Sequence, residues 1–129
     1  MGGVPDNSPC ACGLGEPYPE CCGRFHRGAA APTAELLMRS RFCAFAVRDA
    51  AYLLRTWHPR TRPRRIQFDP RQRWTGLEII DRSGGGLFDP DGTVEFRAGY
   101  LVGDRPGTTH ERSQFSRHEG LWVYVGVLE

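Results

Sequence analysis

Apolar residues follow two different periods along this chain, and the change of period separates a helical part from a strand-forming part. After Pro32 and Thr33, apolar side chains recur every three or four residues, at Leu37, Phe42 and Phe45, which is the spacing of one helix face. From residue 74 onward, apolar and polar residues alternate, as they do in half-buried strands. Helices followed by a run of antiparallel strands predict an α+β fold.

Turn and cap residues divide these two parts into elements. Thr33 precedes the first helix, and Asp49 is the expected cap of a second, short helix that ends before Pro59. Glycine-rich and Asp-Gly turns separate the strands. The strands are predicted at 74–80, 94–102, 108–116 and 121–127.

The length of 129 residues, with 40% hydrophobic residues, suits one domain with a small appendage. No apolar run reaches the roughly 20 residues that cross a bilayer. The first residues lack the basic and apolar regions of a signal peptide. We therefore expect a cytoplasmic protein without a membrane span.

Basic residues form one dense cluster in a chain whose net charge is only +2. The cluster comprises Arg60, Arg62, Arg64 and Arg65, and Pro59 and Pro63 exclude a helix there. A solvated loop is the first interpretation. Contact with nucleic acid is the alternative, although the small net charge disfavours a dedicated nucleic-acid binder.

Four of the five cysteines lie within thirteen residues, at positions 10, 12, 21 and 22. Neighbours this close in sequence make strained disulfides, whereas four clustered thiolates suit tetrahedral zinc. The spacing predicts a zinc site at Cys10, Cys12, Cys21 and Cys22, with redox use or inert thiols as alternatives. His26 competes with Cys22 as the fourth ligand, and Cys43 is expected in the helical core.

The segment 10–22, CACGLGEPYPECC, resembles the SEC-C motif, a zinc-binding segment also found at the C-terminus of the SecA preprotein translocase. It keeps the cysteines, Gly13, Gly15 and the aromatic residue at Tyr18. It departs from the motif at Leu14, where Ser is common, and at Glu16, where Lys is common. The resemblance implies docking of a protein partner or the ribosome, and the change at Glu16 affects any partner surface that needs the Lys charge.

The resemblance extends over nearly the whole chain, to the YchJ family of small bacterial proteins, whose activity is not established. It is carried by segments 25–42, 52–59 and 110–115. It implies a SEC-C segment at residues 1–26 and, at residues 27–129, a domain similar to nuclear transport factor two. In such a domain a curved antiparallel sheet wraps on helices to form a cone.

A cone of this kind often holds a pocket, which makes a small-molecule binder or an enzyme the alternative function. His58, Glu95 and His110 are the residues expected at its mouth, because His and Glu suit acid–base chemistry. Surface charge pairs and a helix-terminus role for His58 are the competing interpretations. Arg39 and Arg41 are expected to tie the helix to the sheet through buried carboxylates, or else to bind an anion in the pocket.

Overall fold

A computed structural model of the protein describes residues 9–128, so the first eight residues of the predicted segment 1–26 and the final residue of 27–129 lie outside it. A 3₁₀ turn at Tyr18–Glu20 precedes three helices, which we number α1 to α3, and four strands, β1 to β4. The helices span Cys22–His26, Ala34–Val47 and Ala50–Arg55. The strands span Gln72–Gly84, Asp91–Val102, Arg105–His118 and Leu121–Leu128.

Both predicted helix starts carry the expected caps. The Thr33 side chain accepts a hydrogen bond from the Leu36 amide at 3.2 Å, and the Asp49 carboxylate accepts one from the Tyr52 amide at 3.0 Å. Each bond satisfies a backbone N–H that has no partner inside its helix. Arg48, with φ of 60°, ends α2 in the left-handed conformation and turns the chain into α3.

The four strands form one antiparallel sheet in the order β1-β2-β3-β4, which confirms the predicted α+β fold. The strands run longer than the alternating patterns predicted, because the turns between β2 and β3 and between β3 and β4 use only two residues each. Register shifts at Trp74/Gly76, Ile79/Asp81 and Gln114/Phe115 bend the sheet. The result is a curved sheet with one concave side.

Helix α2 packs on one face of this sheet, which we call the inner face, and Val94, Phe96 and Ala98 are buried there as their alternation predicted. The outer face carries Glu95 and Arg97. The segment after α3 joins the sheet at β4, where the Tyr124 amide donates to Thr56 O and the His58 amide donates to Tyr124 O, both at 2.8 Å. Within residues 9–128, no helix has the length and apolar character needed to cross a membrane.

Candidate metal centre

Backbone turns bring the first two cysteines back toward the second pair. The Cys10 amide donates to Glu16 O at 2.7 Å, and the Gly13 amide donates to Cys10 O at 3.1 Å. Gly13 and Gly15 have φ of +90° and +93°, where a side chain would be strained. The two glycines of the motif are therefore needed to close the loop that carries Cys10 and Cys12.

The sulfur atoms of Cys10, Cys12, Cys21 and Cys22 all lie within 4.8 Å of one another. The Cys12 and Cys21 Sγ atoms are 3.5 Å apart, and each of the four residues is at most 3% exposed. Thiolates bound at about 2.3 Å to a tetrahedral zinc ion lie roughly 3.8 Å apart. The donor set and its spacing therefore fit a four-coordinate metal ion.

Burial makes ionisation of these thiols unfavourable, and a bound cation offsets that cost. Burial, together with contact with Cys12, raises the pKa of the Cys21 thiol to about 12. Several thiolates this close, away from water, repel one another and are poorly solvated. A bound cation removes both costs, so metal binding and full ionisation of the four thiols are coupled.

Cys43 brings a fifth thiol to the same place. Its Sγ lies 3.2 Å from Cys10 Sγ, and the residue is fully buried in α2. Its position in the core matches the sequence prediction, whereas its contact with the cysteine cluster was not predicted. No local pattern signals that contact, because it depends on how α2 packs against a segment 33 residues away.

His26 has other partners for both of its ring nitrogens. Nδ1 lies 2.6 Å from Tyr18 Oη, and Nε2 lies 2.9 Å from Ser40 O. This arrangement links α1 to the 3₁₀ turn and to α2. The structure thus leaves Cys22, rather than His26, beside the other three sulfur atoms.

Arg39 holds the cysteine loop against α2. Its Nη1 donates to Cys12 O at 2.6 Å, and its Nε donates to the Glu35 carboxylate at 2.9 Å. Glu35 also pairs with Arg82 of β1, so the link from helix to sheet joins a helix carboxylate to a sheet arginine, and Arg39 pairs with Glu35 inside α2 rather than with a carboxylate of the sheet as expected. Among the residues described, no carboxylate pairs with Arg41, which bonds to Leu53 O and Thr56 Oγ1 instead.

Of the three predicted pocket residues, Glu95 and His110 meet each other, and His58 contacts neither of them. Glu95 and His110 are hydrogen-bonded at 2.7 Å on the outer face, where their side chains are 27% and 50% exposed. Arg112 also pairs with Glu95 there. The His58 ring lies against His118, with ring centroids 5.1 Å apart, and its Nδ1 accepts from the Arg60 amide.

The basic cluster lies between α3 and β1, and Arg60, Arg62, Arg64 and Arg65 are all exposed. This is the solvated loop that the two prolines predicted. Arg62 donates to Trp57 O at 3.0 Å, which fixes the start of the loop.

Comparison with known proteins agrees with this architecture. Residues 33–127 match the family model described as the YchJ middle NTF2-like domain. A UPF0225 protein of Streptomyces coelicolor is 63% identical over 118 residues, covering 91% of this chain and 92% of that protein. A UPF0225 protein of Corynebacterium glutamicum is 51% identical over 116 residues, covering 89% of this chain and 92% of the relative.

Two solved structures share the whole arrangement. The solution structure of a SEC-C motif containing protein from Rhodopseudomonas palustris matches with a TM-score of 0.80 and 33% identity, over 94% of this chain and 98% of that one. The crystal structure of a SEC-C motif containing protein from Psychrobacter arcticus matches with a TM-score of 0.75 and 25% identity, over 96% of this chain and 85% of that one. The cysteine cluster, the curved sheet and these relatives together show that the chain belongs to the YchJ family of SEC-C motif proteins, with an NTF2-like domain over residues 33–127.

Proposed function

We propose that this protein is a zinc-bearing interaction module. In this proposal Cys10, Cys12, Cys21 and Cys22 hold one zinc ion, and the loop that they fix docks a protein partner. The cluster of four buried sulfur atoms is the observation that carries the proposal. Zinc is the preferred ion because it accepts four thiolates in a closed tetrahedral site and needs no open position for a structural role.

A docking role is supported by the apolar surface next to the cysteine loop. Leu14, at the tip of that loop, is 45% exposed. It lines a groove of about 360 Å³ together with Gly85 and Gly86 of the β1–β2 loop and the Glu35–Arg82 ion pair. Leu87 and Phe88 follow directly and are also exposed, Phe88 to 97%. Exposed large apolar side chains are typical of a protein contact surface.

The β1–β2 loop is held in place, which favours binding. Arg117 of β3 donates through Nη2 to Leu87 O at 2.6 Å and through Nε to Asp89 O at 2.9 Å. The Gly86 amide donates to the Asp89 carboxylate at 2.9 Å. A loop that is already ordered loses less conformational entropy when a partner binds.

Quantitative affinity capture with the metal-loaded protein tests this proposal. We expect Leu14→Ser and Phe88→Ser each to lose the partners that the wild type retains. Val127→Thr is the matched control, because it makes an exposed apolar residue of β4 polar while keeping its shape. A Cys10→Ser/Cys12→Ser variant should lose both metal and partners.

The identity of the captured proteins also distinguishes two kinds of partner. Enrichment of ribosomal proteins identifies the ribosome as the partner, and a single other protein identifies a dedicated protein complex. Equal capture by wild type, Leu14→Ser and Phe88→Ser would contradict docking at this surface. Metal content is measured separately, so the zinc site and the docking surface are tested independently.

A further inference from the structure

A second candidate site lies on the inner face of the sheet, away from the four clustered cysteines. Side chains of α2, β2, β3, β4 and the segment after α3 line a partly open cavity of about 120 Å³. Its polar lining comes from Arg41, Trp57, Glu111, Ser113 and Tyr124. A partly open cavity with several polar groups suits a polar occupant, because polar groups lose free energy when they leave water without a partner.

Arg41 is a buried cation with spare hydrogen-bonding capacity. It is 4% exposed, and its guanidinium lies 5.1 Å from the Trp57 ring centroid and 4.5 Å from that of Tyr124. Its Nη1 donates to Leu53 O at 2.8 Å and to Thr56 Oγ1 at 2.7 Å. Within residues 9–128, Nε and Nη2 have no hydrogen-bond partner, and no carboxylate lies within 4.0 Å of the group.

Burial lowers the pKa of the Arg41 guanidinium to about 10, so this group still carries a charge at neutral pH. A buried charge is stable only where a counter-charge or a full set of hydrogen bonds meets it. The two aromatic rings supply part of that stabilisation, since a cation is attracted to an aromatic face. The unpaired N–H groups remain available to an anion.

Glu111 supplies the opposite charge to the same cavity. It pairs directly with Phe96 across β2 and β3, which places it on the inner face. In the described part of the chain it forms no ion pair with Arg41 or with any other base. The cavity is therefore lined by one cation and one anion that do not neutralise each other.

Trp57 lines the cavity with its ring, while its unpaired indole N–H is closed off from the cavity. Its indole Nε1 is buried and has no hydrogen-bond partner among the described residues. Leaving such a donor unpaired typically costs about 1–3 kcal/mol. Its ring lines the cavity and contacts the guanidinium of Arg41.

We propose that this cavity binds a small zwitterion, an α-amino acid with a short side chain. The carboxylate of the ligand meets the N–H groups of Arg41 beside the Trp57 ring, and its ammonium group meets Glu111. The cavity of about 120 Å³ has room for about four water molecules at roughly 30 Å³ each, which is the size range of glycine or alanine. This site goes beyond the interaction module and does not depend on the metal centre or on a partner.

The proposal is tested by NMR titration of the metal-loaded full chain, following the indole N–H signals of Trp57, Trp74 and Trp122. Glycine is the probe, acetate supplies only the negative charge, and methylammonium supplies only the positive charge. We expect glycine to shift the Trp57 signal saturably, and each single-charge probe to bind about tenfold more weakly or worse. The Trp74 and Trp122 signals should stay in place.

Two matched variants identify the carboxylate that binds the ammonium group. Glu111→Gln should weaken glycine binding about tenfold and leave acetate binding unchanged, because the amide keeps the shape and removes the charge. Glu95→Gln makes the same change on the outer face and should leave glycine binding unchanged. The amide spectrum of each variant confirms that it is folded.

The proposal is overturned if glycine causes no saturable shift of the Trp57 signal, or if acetate binds as tightly as glycine. It is also overturned if Glu111→Gln and Glu95→Gln have equal effects on glycine, because a general change of charge then explains the loss. None of these results bears on zinc content or partner capture.

Discussion

Cys43 places a fifth sulfur atom beside four clustered thiols, and four thiols are already enough ligands for a tetrahedral ion. Its Sγ is 3.2 Å from Cys10 Sγ, and α2 holds it rigidly in the core. Since the loop cysteines suffice for a four-coordinate ion, the simplest role for Cys43 is to pack against the bound thiolate of Cys10. A role of this kind affects stability more than metal content.

Replacing Cys43 by alanine therefore separates packing from ligation. We expect Cys43→Ala to retain one metal ion per chain and to lower the free energy of unfolding by about 1 kcal/mol, because a small cavity replaces the sulfur. Urea unfolding of the metal-loaded protein measures the loss, and elemental analysis measures the metal. Loss of the metal in this variant would show that Cys43 is itself a ligand.

The sequence predicts the contacts of some residues and not those of others. The four clustered cysteines lie within thirteen consecutive residues, so their spacing is enough to predict that they meet. Cys43 and Arg39 reach the same centre only through tertiary packing, and no local spacing encodes such contacts. Glu95 and His110, predicted at the mouth of a pocket, lie on the outer face, whereas Glu111, the residue after His110 in β3, lies on the inner face.

At the scale of elements, the curved sheet and α2 bury apolar side chains between them, and this burial stabilises the fold. Phe115 of β3 is fully buried between them. Phe88, in the β1–β2 loop, has the same type of side chain but is exposed to solvent. The alternating pattern predicted the strands and their buried faces, but not their full lengths, since polar residues at strand ends fit a strand or a loop equally well.

These two phenylalanines provide a matched pair for measuring burial. Phe115→Ala should lower the free energy of unfolding by about 3–5 kcal/mol, because it removes a buried ring and leaves a cavity. Phe88→Ala should change it by less than about 0.5 kcal/mol. Chemical denaturation of both variants checks the difference, and similar values for the two would show that the inner face is not the core.

The turn between β3 and β4 contains a residue that is poorly suited to its conformation. Glu119 has φ of +53° and Gly120 has φ of +83°, so both central residues are left-handed. Asn tolerates this conformation better than Glu, and Asn-Gly is the favoured pair in such two-residue turns. Glu119→Asn should raise the free energy of unfolding by about 0.5 kcal/mol, as measured by thermal melting, and a lower melting temperature would contradict the turn geometry.

At the scale of the whole molecule, the cysteine loop and the sheet domain are joined by specific contacts. Arg39 bonds to Cys12 O, His26 lies in hydrogen-bonding range of Ser40 O, and the clustered cysteines pack in the same core as α2 and the inner face. The sequence predicted a boundary at residues 26 and 27 from the motif and the small-residue linker, and a change of composition does not reveal how tightly two segments pack.

This shared core predicts how the protein responds to metal removal. Zinc binding contributes to the stability of the state that binds it. We expect the metal-loaded chain to unfold in a single thermal transition, and a chelator to move that whole transition to lower temperature. Circular dichroism follows the sheet and tryptophan fluorescence follows the core. Two well-separated transitions, with the sheet unaffected by chelation, would instead show two independent units.

The central claim, that four cysteines hold one zinc ion, is tested most directly by elemental analysis of protein purified without chelators. The wild type and His26→Ala should each contain one zinc per chain, because both nitrogens of His26 serve other contacts. Cys22→Ala should lose the zinc or bind it far more weakly, since it removes one of the four buried thiols. A wild-type protein that contains no metal and whose clustered cysteines are paired as disulfides would contradict the account.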